Sequence, residues 1–216
     1  MFIAIEGIDG CGKSTQIDLL AKKLNAAVFH FPDYTTPIGQ LILSHLKEEW
    51  AADHEGFSMP SLPPEHRTDI KYVDALMFQA MQFSNRLEKA EAVGEALRDG
   101  NVIADRYIAS GIVYGGADGL SPDYLERTQR TLKQPDLNIL LDISSKVSAD
   151  RRPDRRDRYE KQAGLLDVVA ARYRELWIKM RKANADNKHG PKWVTIEGTQ
   201  SIERVHLDIL SFCPVS

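Results

Sequence analysis

The chain has 216 residues, of which 43% are hydrophobic and 27% are charged, and its formal net charge at pH 7 is −3. This length is sufficient for one domain with a substantial core, so we expect a single domain over residues 1–216. The charge balance creates no field that favours nucleic acid or an anionic membrane, and no apolar run approaches the roughly 20 residues that span a bilayer. The two cysteines, Cys11 and Cys213, suggest neither a disulfide framework nor a metal site. These observations favour a cytoplasmic protein that binds neither a nucleic acid polymer nor a membrane.

Five short and nearly continuous apolar runs predict β-strands over residues 2–6, 28–31, 102–105, 137–143 and 193–196. Such runs are typical of strands that are buried on both faces of a parallel sheet. Helical patterns separate the runs, at about residues 13–24, 38–49, 69–98, 122–132, 161–182 and 202–210. Strands that alternate with helices indicate right-handed crossovers and an α/β fold. Residues 51–68 show little periodicity, and we expect a long loop there.

The most specific motif follows the first predicted strand and reads Gly7-Ile8-Asp9-Gly10-Cys11-Gly12-Lys13-Ser14. Glycines let backbone N–H groups approach phosphate oxygens, and the start of the next helix adds partial positive charge. Lys13 supplies a charge for the terminal phosphates, and the Ser14 hydroxyl is a ligand for Mg²⁺. A plain glycine-rich turn is the alternative. We interpret the segment as a P-loop that binds ATP through Gly7, Gly10, Cys11, Gly12, Lys13, Ser14 and Thr15.

The third predicted strand ends in Asp105-Arg106-Tyr107. In α/β proteins the ligand crevice forms at the carboxyl ends of the strands. Next to a P-loop, an aspartate at this position is expected to organise Mg²⁺, and Arg106 could grip a phosphate with two hydrogen bonds. A purely structural ion pair is the alternative for these two residues.

An arginine-rich run covers residues 150–160 and contains Arg151, Arg152, Arg155, Arg156 and Arg158. A solvated surface or a nucleic-acid contact would also use such residues. Because the run is short, mixed with acidic residues and placed after a strand, we predict a lid over about residues 147–160. Such a lid would bring guanidinium groups to a transferring phosphoryl group and exclude water.

Arg86 lies among apolar residues on the long predicted helix. If it is buried, it needs a hydrogen-bond acceptor. A core ion pair is one possibility, and a carbonyl or phosphate of a ligand is the other.

Further segments complete the pattern, namely Phe31-Pro32 with Thr36 and Ile38-Gly39, Ser84-Asn85-Arg86, Ser110-Gly111 with Tyr114, Pro135-Asp136, and Arg158-Tyr159-Glu160. In this order, and together with the P-loop and Asp105-Arg106-Tyr107, they resemble the thymidylate kinases over nearly the whole chain. The resemblance implies a P-loop NTPase fold, with a five-stranded parallel sheet in the order 2-3-1-4-5 and an arginine-rich lid. It also implies a homodimer.

The resemblance implies a reaction in which ATP and thymidine 5′-monophosphate (dTMP) give ADP and the 5′-diphosphate, with Mg²⁺. It assigns Asp9 to the acceptor's 3′-hydroxyl, Arg86 to a thymine carbonyl and Arg106 to the acceptor phosphate. Phe31 and Pro32 would flank the base, Ser110 and Gly111 would line its pocket, and Tyr114 would exclude a ribose hydroxyl. The implied metal residues are Ser14 and Asp105.

Some members of the family place a basic residue in the P-loop, and others supply the charge from the lid. Position 10 is Gly10, so we predict the lid-supplied class, with Lys13, Arg106, Arg151 and Arg155 as catalytic residues.

The chain departs from the family at three positions that bear on the acceptor. Tyr34 replaces a frequent arginine, Gly115 replaces a frequent polar residue, and Gln82 replaces the usual base-stacking aromatic, with Phe78 and Phe83 expected on other faces of the helix. A kinase for another nucleotide or nucleoside, and a P-loop switch module, are the alternatives.

Overall fold

The structure is a computed structural model, and it describes residues 1–47, 70–152, 164–185, 187 and 190–213. The predicted loop at residues 51–68 lies outside the described residues. So does the part of the predicted lid from residue 153 onward, which includes Arg155 and Arg158.

The centre of the fold is a parallel sheet of five strands in the order β2-β3-β1-β4-β5. The strands are β1 (Phe2–Glu6), β2 (Ala26–His30), β3 (Asn101–Asp105), β4 (Leu137–Asp142) and β5 (Lys192–Glu197). Every residue of β1 is buried, as the unbroken apolar run predicts. The fold class, the parallel pairing and the strand order are therefore confirmed.

Helices cover both faces of this sheet. They are α1 (Lys13–Leu24), α2 (Pro37–Leu46), α3 (Ile70–Glu88), α4 (Ala90–Asp99), α5 (Ile108–Ala117), α6 (Pro122–Gln129), α7 (Ser145–Arg151), α8 (Leu165–Ala183) and α9 (Ile202–Leu210). Within the residues that the structure describes, every helix is too short or too polar to cross a membrane.

Two of these helices are absent from the sequence-based prediction. Helix α5 is almost wholly buried and contains three glycines, so it shows neither amphipathic periodicity nor strong helix propensity. Helix α7 is only seven residues long, and it begins where the Ser144 hydroxyl accepts a hydrogen bond from the Val147 N–H, a typical N-terminal cap.

The single long helix predicted over residues 69–98 is wrong, because the chain breaks at Lys89 into α3 and α4. The Lys89 N–H donates to Arg86 O at 3.2 Å, a tight turn at the end of α3. Its ammonium group lies 2.6 Å from Asp33 Oδ2. A tertiary ion pair therefore accompanies the break, and no proline or glycine marks it.

The carboxyl ends of the central strands position the functional residues. In the sheet, Ile5 of β1 pairs with Asp105 of β3, and Glu6 pairs with Leu140 of β4. The P-loop thus leaves β1 beside the end of β3, which is the part of an α/β sheet where ligand crevices form.

Candidate active site

The P-loop wraps tightly around the start of α1. Gly10 and Gly12 have φ angles of 74° and 97°, a left-handed region that glycine adopts readily. The Lys13 ammonium group donates to Gly7 O at 3.0 Å and to Ile8 O at 3.3 Å. Lys13 is therefore held across its own loop, at the N-terminal end of the helix, where an anion is favoured.

An open cavity of about 690 Å³, here called the P-loop cavity, lies against this turn. Its walls include Gly10, Gly12, Lys13, Ser14 and Thr15 of the predicted ATP-binding residues. The other two, Gly7 and Cys11, pack behind the loop, where Cys11 is buried and a Cβ at Gly7 would lie 2.6 Å from Leu141 O.

A second cavity, of about 150 Å³, opens between α3 and α5. Its walls bring together all the residues that the resemblance assigns to the acceptor, namely Asp9, Phe31, Pro32, Arg86, Arg106, Ser110, Gly111 and Tyr114. The two cavities share Asp9, Phe31, Pro32, Tyr34 and Arg106, so one continuous crevice connects the P-loop to the second cavity.

Asp9 and Arg106 form an ion pair at the junction, with Arg106 Nη2 2.8 Å from Asp9 Oδ1. Lys13 and Arg152 lie 3.9 and 3.7 Å from the same oxygen. Burial would raise the pKa of Asp9, but Arg106 and Lys13 outweigh burial and lower this pKa to about 2. Asp9 is therefore a carboxylate throughout the physiological pH range.

Two contacts and an unusual backbone conformation fix the position of Arg106. Its backbone has a φ of 59°, which is rare for a residue with a long side chain and is typical of functional sites. Its guanidinium lies over the Tyr114 ring, 5.3 Å from the centroid, and donates to Tyr173 Oη at 3.3 Å. Arg106 is thus aimed at the junction of the two cavities before any anion binds.

Glu6 is an important residue of the site that the sequence analysis does not single out. It is fully buried, and it accepts hydrogen bonds from the Tyr107 N–H at 2.7 Å, the Ser110 hydroxyl at 2.6 Å and the Tyr173 hydroxyl at 3.0 Å. It therefore holds the start of α5 against the P-loop strand. The available signal was a charged residue at the end of an otherwise apolar strand.

Asn85 has a similar organising role on the other side of the crevice. This fully buried residue accepts a hydrogen bond from the Asp33 N–H at 2.7 Å and donates to Thr36 Oγ1 at 2.8 Å. These contacts tie α3 to the segment that follows Phe31 and Pro32.

The predicted metal residues, Ser14 and Asp105, both line the P-loop cavity. Asp105 Oδ2 lies 3.1 Å from His30 Nδ1, whereas Asp105 Oδ1 is buried without a hydrogen-bond partner in the described part of the chain. No cluster of three or more His, Cys, Asp or Glu side chains suited to a metal occurs in the described parts of the chain. A hydroxyl and one carboxylate nevertheless fit Mg²⁺, which prefers oxygen ligands and keeps several of its waters.

Arg86 is 2% exposed, and no carboxylate of the described residues forms an ion pair with it. Its Nη1 donates to Gln82 O at 3.1 Å, and its Nε has no partner among the residues that the structure describes. Burial lowers the pKa of Arg86 to about 10, so the group stays cationic at neutral pH. Within the described residues the core ion pair considered above is not formed, and the guanidinium has hydrogen bonds to offer to the second cavity.

The expectation that Phe78 lies on another face of the helix from Gln82 is wrong. Phe78, Gln82 and Arg86 are spaced by four residues on α3, and all three line the second cavity. Phe78 also stacks on His45, with ring centroids 4.6 Å apart. Phe83, as expected, lies elsewhere, against the core cluster around Ala104.

The two described arginines of the predicted lid have different surroundings. Arg151 donates to Gly10 O at 3.1 Å and to Gly198 O at 3.0 Å, so it braces the P-loop. Arg152 lies beside Asp9 and lines the P-loop cavity. The sequence-based prediction names Arg151 and Arg155 as catalytic residues and does not include Arg152.

Comparison with known proteins agrees with this geometry. The sequence model of the family described as thymidylate kinase matches residues 5–209. Thymidylate kinase of Schizosaccharomyces pombe is 32% identical over 214 residues, which cover 96% of this chain and 89% of the relative. A probable thymidylate kinase of Pyrobaculum aerophilum is 33% identical over 211 residues, covering 94% of this chain and 97% of the relative.

Among solved structures, the thymidylate kinase of Candida albicans, described with a broad substrate specificity and a novel structural element, is similar with a TM-score of 0.73. It is 25% identical in sequence, and the match covers 97% of this chain and 89% of that chain. Similarity in sequence over nearly the full length, and in fold, leads to one conclusion: the chain belongs to the thymidylate kinase family.

Proposed function

We propose that this protein transfers the γ-phosphoryl group of ATP to dTMP and releases ADP and the 5′-diphosphate. The observation that carries the proposal is the continuous crevice, in which a P-loop and a second, base-sized cavity meet at the Asp9–Arg106 pair. A P-loop joined to a second ligand cavity is what transfer between two nucleotides requires, since the reaction depends on positioning and on charge neutralisation.

In this proposal the P-loop amides and Lys13 bind the phosphates of ATP. Ser14 and Asp105 would hold Mg²⁺, which neutralises charge on the phosphates when it is bound. Arg106 binds the acceptor phosphate, and Asp9 orients both Arg106 and the acceptor sugar. An acceptor phosphate oxygen is already ionised at neutral pH, so the chain needs no general base.

Positive charge at the transferring group comes from the predicted lid over residues 147–160. Arg152 is placed for this role because it lies at the junction of the cavities, and Arg155 remains the candidate from the undescribed part. Arg151 holds the loop in shape through its two carbonyl contacts. Removing one such donor from a charged transition state commonly slows a reaction by about 100-fold or more.

In the second cavity, Phe31 and Pro32 flank the thymine and Arg86 donates to one of its carbonyls. Ser110 and Gly111 form the floor, and Tyr114 excludes a ribose hydroxyl. A second candidate function, phosphorylation of another nucleoside monophosphate, is favoured by one observation. Gln82, an amide, lines the cavity at the position where the family usually has a stacking aromatic side chain.

We further propose that the enzyme is a cytoplasmic homodimer with one domain over residues 1–216. Both cysteines are free thiols, which suits a reducing compartment. On α3, Tyr72, Met77 and Leu87 are 40–48% exposed, and apolar side chains of this size favour a protein contact. Light scattering coupled to gel filtration would measure the assembly, and a monomer at micromolar concentration would contradict the dimer.

The test of the proposed function is the rate of ADP formation from ATP and Mg²⁺, measured without an acceptor and with each of a panel of nucleoside monophosphates. We expect little ADP without an acceptor and the highest kcat/KM with dTMP. An equal rate without an acceptor would indicate a switch module instead. A higher kcat/KM with another monophosphate would replace the proposed substrate.

A further inference from the structure

Gln79 on α3 carries a buried amide that the proposed mechanism leaves unused. The residue is 5% exposed and lines the second cavity. Its Oε1 accepts no hydrogen bond from the described part of the chain. A buried amide oxygen without a donor is destabilising, so a group that donates to it from the cavity would be favoured.

Arg86 lies on the same face of α3 as Gln79. Residues 79, 82 and 86 follow the spacing of one helical face, and all three line the second cavity. The Arg86 side chain runs back along the helix, because its Nη1 donates to Gln82 O. The guanidinium is therefore brought about one turn towards Gln79.

The side chains of Gln79 and Arg86 pack against two glycines of α5. A Cβ at Gly111 would lie 2.7 Å from Gln129 Nε2 and 3.2 Å from Arg86 Nη1. A Cβ at Gly115 would lie 2.9 Å from Leu125 Cδ2 and 3.0 Å from Gln79 Cγ. Gly111 and Gly115 are four residues apart on one helix, which is about 6 Å along its axis. Gln79 and Arg86 thus pack over successive turns of α5, and Gly115, which departs from the family pattern, makes room for Gln79.

We propose that Gln79 and Arg86 together read one edge of the acceptor's base, an edge on which a carbonyl stands next to an N–H group. Arg86 donates to the carbonyl, and Gln79 Oε1, brought to the cavity by rotation of its amide, accepts from the N–H. Thymine and uracil present this pair, whereas cytosine presents a ring nitrogen acceptor beside an amine. The inference rests on the proposed function, because it takes the second cavity as the acceptor site.

The test is Gln79→Met, which keeps the length of the side chain and removes the amide. Isothermal titration with dTMP and with deoxycytidine 5′-monophosphate (dCMP), and kcat/KM for each with ATP, measure the effect. We expect dTMP to bind about 10-fold more weakly, as for loss of one hydrogen bond, while the Kd of dCMP stays unchanged. Gly115→Ala should also weaken binding of dTMP relative to dCMP, because its new methyl group would press on Gln79 as well as on Leu125.

Gln16→Leu provides the matched control. Gln16 on α1 is 3% exposed, and its Oε1 also has no partner among the described residues. Its amide nitrogen donates to Ile202 O at 2.9 Å, and the residue does not line the second cavity. This variant should have a lower Tm and an unchanged preference for dTMP over dCMP.

An unchanged preference in Gln79→Met, or an equal loss for both nucleotides, would overturn the inference. Turnover of the wild-type protein tests the proposed function separately. If the wild type phosphorylates dTMP and Gln79→Met keeps the same preference for dTMP over dCMP, only the proposed role of Gln79 is wrong. If the wild type binds dTMP, Gln79→Met weakens this binding, and no ADP forms, only the proposed reaction is wrong. Binding of neither nucleotide would overturn both.

Discussion

Asp9 is the residue at which the charges of the two cavities meet. Its carboxylate contacts Arg106 directly and has Lys13 and Arg152 within 4 Å. The same group can therefore stabilise the folded protein, orient the phosphate-binding arginine and face the acceptor.

The pH dependence of stability should report on Asp9. Its pKa in the folded protein is about 2, below the ordinary value of 3.8, so its ionised form favours folding. This contribution is present above about pH 4 and is lost as the pH falls towards 2. A shift of this size corresponds to up to about 2 kcal/mol. Denaturant titrations should show Asp9→Asn less stable than the wild type at pH 7, with a gap that shrinks by pH 3.

A gap that is constant from pH 7 to pH 3 would contradict the assigned charge of Asp9. For the same reason, the pH profile of kcat/KM between pH 5 and 8 should contain no acidic limb from Asp9.

Tyr114 should act as the filter for the acceptor's sugar. We expect Tyr114→Ala to narrow the ratio of kcat/KM for dTMP over its ribonucleotide counterpart by about 10-fold, the scale of one lost steric contact. It should also weaken acceptor binding, since Arg106 loses the ring beneath it. Tyr114→Phe retains the ring and is the control. An unchanged ratio in the alanine variant would refute the filter.

Among single residues, the sequence predicts the functional ones that belong to a recognisable local motif. Lys13, Ser14 and Arg106 stand out because a P-loop and a strand end are local signals. Gln79 could not be found in this way, because its importance comes from a contact more than 30 residues away. Glu6 carries one local signal, its charge at the end of an apolar strand, but its role depends on Tyr107, Ser110 and Tyr173, which lie more than 100 residues away. The role of Arg152 is not predictable from the sequence, because the arginines of residues 150–160 have similar neighbours and no local signal shows which of them faces the site.

Among the elements, α7 and the P-loop depend on each other. A Cβ at Gly10 would lie 3.2 Å from Ser148 O of α7, whereas a Cβ at Gly12 would meet no atom of the described residues within 4 Å. Both glycines have positive φ. The absence of a basic residue at position 10 thus has a steric reason in this fold, besides the family pattern.

This pair of glycines permits a matched test of the packing. Gly12→Ala should introduce about 1–2 kcal/mol of backbone strain alone. Gly10→Ala adds the close contact with Ser148 and should lower the free energy of unfolding further. Urea denaturation of both variants measures the difference, and equal losses would show that α7 does not press on the loop.

Substitutions of Arg151 and Arg152 should affect different kinetic constants, because the two side chains have different contacts. Arg151→Lys keeps the charge but cannot grip both carbonyls, so it should raise the KM for ATP. Arg152→Ala should lower kcat by at least about 10-fold, with little change in the Kd of dTMP. Steady-state kinetics and isothermal titration separate these effects. Loss of acceptor affinity alone in Arg152→Ala would count against its role in transfer.

Helices that show amphipathic periodicity or a start motif in the sequence were predictable. Helices and helix ends that depend on contacts with distant segments were not. Helix α1 follows directly from its periodicity and from the P-loop before it. Helix α5 forms although it is glycine-rich, because Glu6 binds its first turn and the neighbouring helices bury its faces. The break at Lys89 depends on a partner in another segment.

For the whole molecule, the strand order determines where the site lies. Because β1 pairs with both β3 and β4, the P-loop emerges at the centre of the sheet, beside Asp105 and Arg106. Apolar runs predicted the strands to within two residues, but their order came from the resemblance to the family. Long-range pairing of parallel strands leaves no local mark on the sequence.

The central claim is that one crevice transfers phosphoryl from one nucleotide to another. A ³¹P NMR time course with ATP, Mg²⁺ and dTMP tests it most directly, with Lys13→Ala as the control. We predict equal amounts of ADP and thymidine 5′-diphosphate, no inorganic phosphate, and a rate at least about 100-fold lower in the variant, or about 2.7 kcal/mol. Release of inorganic phosphate without the thymidine diphosphate, or near-normal turnover in Lys13→Ala, would contradict the account.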